Sequence, residues 1–356
     1  MFFRLSSKSG AYYDAATVIP DSIAKEIPKD LTLAYWDYYS ESAEFYEAML
    51  KKHTALNRST VFFGGIWTWN GVAINYDKTF RTTRPALEAC KKTGIREVYA
   101  TLWGDDGGET DVHSALLGMQ LYAEYIYTDA VDDARLRTML RTCCGYSADT
   151  FLLLDIDNVP GSENYKNNSP AVENTIMASK QLLYQDVLEG LFDKSYSGFD
   201  FKGHYSRILS RLDKAEIPED LRPLFDYHRQ LVVTLIKKCN IGMLISDNYR
   251  KNNTDGLEKN VGELKALCAD FEALLEKRSR LWLLNNKAFG LDRLDLRTGG
   301  LIMRIKRAEK RLTAYLNNEI TSIEELDEPR LSYSLPYSKC EFIHCQYTDK
   351  FNTVSV

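Results

Sequence analysis

The feature that most constrains the fold of this chain is a change of hydrophobic period near residue 130. Before that point, short segments rich in β-branched and aromatic residues recur about every 30 residues, the length of a βα unit. They are apolar on both faces, as buried parallel strands are. The predicted strands are 31–36, 60–67 and 97–103, and the predicted helices beside them are 42–54, 83–92 (with Gly94 as C-cap) and 111–127. This alternation predicts a doubly wound sheet or part of a (β/α)8 barrel.

After residue 130 the apolar residues recur at helical spacing, which predicts a bundle of helices. The predicted helical stretches are 171–192, 201–215, 221–250, 257–286 and 301–317, separated by breaks at 163–169, 251–256 and 298–300. A complete barrel takes about 250 residues, so a chain with about 130 in βα units would hold only its later strands. We therefore predict an α/β domain at 1–130, a helical domain at 131–330 and a short, strand-forming extension at 331–356.

Composition excludes several classes of protein. The 356 residues carry a formal net charge of -5, which argues against a nucleic-acid partner. No apolar run reaches the roughly 20 residues that span a bilayer, so we expect no membrane partner. Seven cysteines at irregular spacing and without a CxxC pair favour reduced, mostly buried thiols in a cytoplasmic protein. Five scattered histidines favour no metal site, and we expect no cofactor.

Aromatic residues mark the ends of the three predicted strands. Trp36, Trp67, Trp69 and Trp103 lie at or just past these ends, and the polar residues Asp37, Asn70 and Asp105 follow them closely. Ligands bind at this edge of parallel sheets. An indole offers a flat apolar face to a sugar ring, and a carboxylate or amide beside it can bind the hydroxyls. Three successive strands ending alike predict a sugar site more strongly than tryptophans that only cap the core.

The acidic loop 102–109 is the densest polar segment of the α/β half. Asp105, Asp106 and Glu109 fall within five residues, and the same loop contains three glycines. The spacing does not fit an EF-hand loop, and the run follows a strand instead of a helix. Acids are also favoured at the first turn of a helix, and Glu109 and Asp111 fit that interpretation equally well.

These motifs carry a resemblance to a known family. Leu102-Trp103-Gly104-Asp105 is similar to the Leu-Trp-Gly-Glu pattern at the last barrel strand of family 20 β-N-acetylhexosaminidases. Ile66-Trp67-Thr68-Trp69-Asn70 and Tyr35-Trp36-Asp37 resemble the ends of the two preceding strands, and residues 1–4 resemble the end of a still earlier one. The helical half resembles the C-terminal domain of a bacterial, exo-acting subgroup. The resemblance covers essentially the whole chain and implies the later βα units of a TIM barrel followed by a helical bundle.

The resemblance also implies roles for individual residues. Trp36, Trp67 and Trp103, with Trp69 as a further candidate, would wall a pocket for a terminal N-acetylhexosamine. Asp105 would accept hydrogen bonds from the outer hydroxyls, although it stands where the family has Glu. Asn70 and Thr68 stand where the family has Asp and Tyr, so Tyr35 or Tyr38 is the alternative contact to the acetamide.

Family 20 enzymes use the acetamide oxygen of the substrate as nucleophile, with an Asp-Glu pair at the fourth strand. The sole Asp-Glu here is Asp327-Glu328, which has the sequence of a solvated turn. We therefore expect the catalytic pair upstream of Met1.

Three classes of function stay open on the sequence. The leading one is an exo-β-N-acetylhexosaminidase, acting on GlcNAc and conceivably on GalNAc, of which this chain is the C-terminal portion and is inactive alone. The second is a carbohydrate-binding fragment without chemistry. The third is a helical interaction protein that binds no sugar. A cut barrel leaves a strand edge unpaired, so self-association into a homo-oligomer is a further expectation.

Overall fold

The computed structural model describes residues 13–105, 107–128, 131–157, 177–193, 196 and 198–330. Its elements form two compact units. The first contains the described residues up to Trp67 together with Tyr76–Leu102 and Leu116–Cys143, and it holds the sheet. The second contains Thr68–Asn75, Trp103–Ala115 and the described residues from Cys144 onward. The loops that follow the second and third strands are thus grouped with the helical unit.

The first unit is built on a three-stranded parallel sheet in the order β1-β2-β3. Its elements are α1 (Asp21–Glu26), β1 (Thr32–Trp36), α2 (Ala43–Thr54), β2 (Ser59–Gly65), α3 (Tyr76–Thr93), β3 (Val98–Thr101), α4 (Leu116–Tyr127) and α5 (Asp133–Cys144, of which only Cys144 falls in the second unit). Trp36 pairs with Phe63, and Gly65 pairs with Thr101, so the three strands end at one edge of the sheet.

Local sequence explains where these helices begin and what they bury. The Ser42 side chain accepts a hydrogen bond from the Phe45 amide and caps α2. This helix then buries Tyr46, Met49, Leu50 and His53, a helical repeat that faces the sheet unit's core. The prediction for α3 was too short, because this helix begins at Tyr76 and accommodates Pro85 in its interior. The Thr-rich first turns hid its period, since Thr79, Thr82 and Thr83 are buried there.

The second unit contains the helical part of the chain. Its elements are a 3-10 turn (Val112–Ala115), α6 (Ala148–Leu152), α7 (Ala178–Tyr184), α8 (Phe201–Leu212), a second 3-10 turn (Glu219–Leu221), α9 (Arg222–Arg250), α10 (Thr254–Asn285), α11 (Leu291–Leu316) and α12 (Glu324–Asp327). The three long helices pack in sequence order, α9 on α10 and α10 on α11. In α10 the buried residues follow a three-four spacing from Leu257 to Leu281, which is the seam of a helical bundle.

Two predictions in this unit were wrong. The break predicted at 298–300 does not exist, because α11 runs through Gly299 and Gly300. Two glycines cost roughly 2 kcal/mol in a helix interior, and burial of Leu294, Leu301 and Ile302 offsets that cost.

The helix predicted to reach Phe192 instead ends at Tyr184. The polar side chains that follow this helix bind backbone amides in place of helical carbonyls. The side-chain oxygen of Gln185 accepts from the Phe192 backbone amide, and the Asp186 carboxylate accepts from the Leu188 backbone amide.

Other predictions stand as follows. A parallel sheet and a helical second part are confirmed, whereas a barrel is not established by three strands. The domain boundaries at 130 and 330 stay a prediction. The strand-forming extension at 331–356, the early strand end at 1–4, Cys340, Cys345 and His344 lie outside the described residues. None of the described helices is long and apolar enough to cross a membrane.

Candidate functional site

The carboxyl edge of the sheet carries four of the predicted sugar-binding residues. Tyr35 and Trp36 end β1, Asp37 follows directly, and Trp67 lies two residues past β2. The Asp37 amide donates to the carbonyl of Phe63 at 3.2 Å, and the Ile66 amide donates to that of Thr101 at 2.9 Å. These bonds continue the ladder by one residue beyond each strand, so the chain leaves the sheet in a fixed direction.

Asp37 is buried and organises the turn after β1. Its Oδ2 accepts from the Tyr35 hydroxyl at 2.8 Å, and its Oδ1 accepts from the amides of Tyr39 and Ser40 at 2.8 and 3.4 Å. Burial raises the pKa of Asp37, and this effect outweighs the lowering by these hydrogen bonds and by Lys78. The carboxylate therefore has a structural task as an Asx-type turn residue, and Tyr35 is committed to it.

The two tryptophans of this unit differ in what they offer to a ligand. Trp36 is 38% exposed and packs against Tyr38 with ring centroids 6.0 Å apart. Trp67 is only 1% exposed, with Tyr39 edge-on at 5.6 Å and the Lys78 ammonium 5.8 Å from its ring centroid. Trp36 thus has a face that a ligand can reach, whereas the Trp67 ring is enclosed by protein.

In the helical unit, the loops after β2 and β3 are joined directly. The Thr68 hydroxyl donates to the carbonyl of Trp103 at 2.8 Å. The loop after β2 is also bonded to a helix terminus, because the Met177 amide, at the N-cap of α7, donates to the carbonyl of Asn70 at 2.9 Å. Two segments 35 residues apart in sequence are therefore in contact, and they carry Trp69, Asn70, Trp103 and Asp105.

The side chains of these two segments combine apolar area with hydrogen-bonding capacity. Trp103 is 45% exposed and Asp105 is exposed, whereas Trp69 and Asn70 are 5% and 3% exposed. Among the described residues, none donates a hydrogen bond to the buried Oδ1 of Asn70. A buried acceptor without a donor costs about 1–3 kcal/mol. A ligand donor or a water at this oxygen would remove that cost.

The loop that carries Trp103 and Asp105 closes on itself. The Gly108 amide donates to the carbonyl of Gly104 at 3.0 Å. Gly107 and Gly108 have φ of 102° and 59°, in the region that favours glycine. A Cβ at Gly107 would lie 2.8 Å from Nη1 of Arg297, so the Arg297 side chain of α11 packs directly on the loop backbone.

Glu109, the residue after this turn, is buried among cations. Arg297 Nη1 donates to its Oε1 at 2.9 Å, and Lys180 Nζ lies 3.3 Å from the same oxygen. Arg278 Nη2 lies 3.8 Å from Oε2, which also accepts a hydrogen bond from the Tyr184 hydroxyl. The expectation that Glu109 is only an acid at the start of a helix is wrong. The helix begins further on, and Asp111 fills that role by accepting from the His113 amide at 2.9 Å.

The electrostatics of this cluster keep Glu109 ionised. Burial alone would raise its pKa, but the charges of Lys180, Arg278 and Arg297 and the Tyr184 hydroxyl lower it below its usual value. A carboxylate held in this form cannot serve as a proton donor near neutral pH. Glu109 therefore acts as a fixed anion that binds the surrounding cations.

The cations of the cluster were missed from the sequence, although a signal for two of them is present. Arg278 occupies the three-four seam of α10 between Leu274 and Leu281, where an apolar residue is expected. Arg297 lies at the same kind of position between Leu294 and Leu301 in α11. A charged residue on a buried stripe indicates a buried partner. Lys180, which is fully buried in the short α7, offered no such signal.

The remaining candidates have structural explanations. Asp327 ends α12 and accepts from the Tyr249 hydroxyl at 2.8 Å, so Asp327-Glu328 does not form an acid pair at a strand end. The described part of the chain contains no group of three His, Cys, Asp or Glu residues that could hold a metal ion. The described cysteines are free, and Cys90, Cys239 and Cys268 among them are buried.

Comparison with known proteins gives one result. A family model described as the Glycoside Hydrolase 20C C-terminal domain matches residues 149–343, which is more than half of the chain. The matched segment includes Lys180, Tyr184, Arg278 and Arg297, whereas the strand ends precede it. No curated protein matches the chain.

Proposed function

Because this chain belongs to glycoside hydrolase family 20, as its 20C C-terminal part, we propose that it serves the hydrolysis of terminal, non-reducing, β-linked N-acetylhexosamine. One observation carries the proposal. The loops after β2 and β3 are joined by the Thr68 to Trp103 hydrogen bond, and they carry the exposed Trp103 indole and the buried Asn70 amide oxygen, to which none of the described residues donates. A sugar ring satisfies both, with C–H groups on the indole and a hydroxyl or acetamide N–H on the oxygen.

The proposal assigns different tasks to the predicted residues. Trp103, on the loop after β3, is exposed and is the candidate for contact with the ring, whereas Trp36 offers an exposed indole in the other unit. Asp105 is exposed in the closed turn and is the candidate acceptor for outer hydroxyls. Trp67 and Trp69 are buried, so neither offers an open face to the ring. Tyr35 is bonded to Asp37, so the acetamide contact falls more naturally to Asn70.

The proposed chemistry is substrate-assisted and retaining. In that scheme the acetamide oxygen attacks the anomeric carbon, a Glu protonates the leaving oxygen and an Asp orients the acetamide. In this proposal the chain supplies sugar-binding loops and not the acid pair, since its one Asp-Glu is engaged at the end of α12. The three parallel strands are proposed to be later strands of a (β/α)8 barrel.

The test is release of nitrophenol from an aryl β-N-acetylglucosaminide. We expect no turnover by residues 1–356 alone and turnover by a longer chain that includes upstream sequence. In the longer chain, Asp105→Asn should raise KM more than it lowers kcat, whereas Asp111→Asn is the matched control outside the turn. Turnover by residues 1–356 that Asp105→Asn abolishes would place an acid in the loop and overturn this division of roles.

A further inference from the structure

The turn that carries Trp103 and Asp105 is fixed at its two ends by different means. At the start, the Thr68 hydroxyl binds the carbonyl of Trp103. At the end, the Gly108 amide closes the turn on Gly104, and the next residue is the buried Glu109. The segment between is exposed at Trp103 and Asp105. Its position therefore depends on how firmly the two ends are held.

The end at Glu109 is bonded to three separate helices. Lys180 and Tyr184 come from α7, Arg278 from α10 and Arg297 from α11. These contacts all lie within the helical unit. Glu109 thus ties the end of the turn to the bundle through a carboxylate whose side chain is 1% exposed.

The cations are themselves held in place, which makes the anchor rigid. The Arg278 guanidinium lies 4.4 Å from the ring centroid of Tyr227 on α9 and also donates to its hydroxyl. Arg297 packs against the loop backbone at Gly107. A carboxylate that is buried against fixed partners has few alternative positions, because its departure would leave several buried cations without a counter-charge.

We propose that Glu109 is a positioning residue for sugar binding, which acts by fixing the loop of Trp103 and Asp105 to the helical unit; the inference rests on the proposed function. The physical reason is that a loop populating its binding-competent position only part of the time has an affinity reduced by that fraction. The helical unit would then hold the turn in its binding position.

The experiment measures GlcNAc affinity by tryptophan fluorescence in the wild-type chain and in Glu109→Gln. Gln keeps the size of the side chain and removes the charge that holds three cations. We expect an apparent Kd about tenfold higher, which corresponds to a competent fraction near one tenth. Hydrogen exchange at the Gly108 amide should become faster, because that amide closes the turn. Tyr184→Phe is a milder variant of the same contact and should give a smaller increase of Kd.

The matched control is Asp186→Asn. Asp186 is also a buried carboxylate of the helical unit, and the Arg304 guanidinium donates to it at 2.6 Å, but it lies outside the loop. We expect this variant to lose thermal stability while its GlcNAc affinity and its Gly108 exchange stay within twofold of wild type. Equal weakening by the two variants would mean a general loss of stability, and it would overturn the positioning role.

Two further outcomes separate the inference from the proposed function. If wild type binds GlcNAc and both Glu109→Gln and Tyr184→Phe bind it equally well, the positioning role is wrong and the sugar site stands. If the wild-type chain does not bind GlcNAc at all, the proposed function fails first, and the positioning role fails with it.

Discussion

Replacement of Gly107 by alanine tests the close packing of α11 on the loop after β3. Gly107 has φ of 102°, outside the ordinary left-handed helical region, and an added Cβ would lie 2.8 Å from Nη1 of Arg297. The backbone strain costs about 1–2 kcal/mol. Displacing the guanidinium weakens a charged hydrogen bond to Glu109, at about 1.5–3 kcal/mol. The expected loss of unfolding free energy is therefore about 2.5–5 kcal/mol.

Gly108 is the matched control for this substitution. Its φ is 59° and an added Cβ would meet nothing within 4 Å, so Gly108→Ala bears only the left-handed strain of about 1–2 kcal/mol. The two variants should differ by about 2 kcal/mol, or roughly 4–8 °C in Tm for a unit of this size. Thermal unfolding followed by far-UV circular dichroism measures this difference. Equal Tm values for the two variants would refute the argument that Arg297 packs on the loop.

Three further predictions concern stability. Tyr35→Phe removes a donor to the buried Asp37 carboxylate and should lower the free energy of unfolding in urea by about 2 kcal/mol. Tyr46→Phe removes a hydrogen bond to the neutral carbonyl of Ser40 and should lower it by about 1 kcal/mol. A larger loss for Tyr46→Phe would contradict this ranking. Burial raises the pKa of Asp157 from 3.8 to about 6, so the folded state favours the protonated acid. Relative to Asp157→Asn, the free energy of unfolding of the wild type should therefore fall by roughly 2–3 kcal/mol as pH rises from 4 to 7. A constant difference in unfolding free energy across this range would count against the raised pKa. Gly299→Ala and Gly300→Ala should each raise the unfolding free energy by about 0.5–1 kcal/mol, because both positions are helical with open space at Cβ, and a decrease would argue for a functional bend.

The sequence predicted those parts of the fold that depend on local pattern. Strands β1 to β3 were found because short runs of aromatic and β-branched residues favour a strand, although only β2 is buried along most of its length. Helices α9 and α10 were found within a few residues because their apolar stripes are long. The errors arose where tertiary contacts override local preference. Gly299 and Gly300 read as a break, yet α11 continues because its neighbouring turns are buried.

The candidate site was only partly predictable for a related reason. Trp36 and Trp103 could be chosen because strand ends can be located from pattern, and both have exposed faces. The burial of Trp67 could not be inferred, because it depends on Tyr39 and Lys78, which are distant in sequence. Glu109 was misjudged for the same reason, since its partner Arg297 is 188 residues away.

Sugar binding is tested most directly by a tryptophan fluorescence titration of residues 1–356 with N-acetylglucosamine, in wild type, Trp103→Ala and Trp282→Ala. Trp103 is 45% exposed, which leaves about 90 Å² of a tryptophan's roughly 200 Å². A ring that covers half of this area gains about 1 kcal/mol, or roughly fivefold in affinity. Trp282 lies on α10, and its indole donates to the carbonyl of Lys287, so it serves as the control.

We expect a saturating signal in wild type, an affinity several times weaker in Trp103→Ala and an unchanged affinity in Trp282→Ala. No saturable signal in wild type, or equal affinities in all three proteins, would contradict the claim that the loop after β3 binds the sugar.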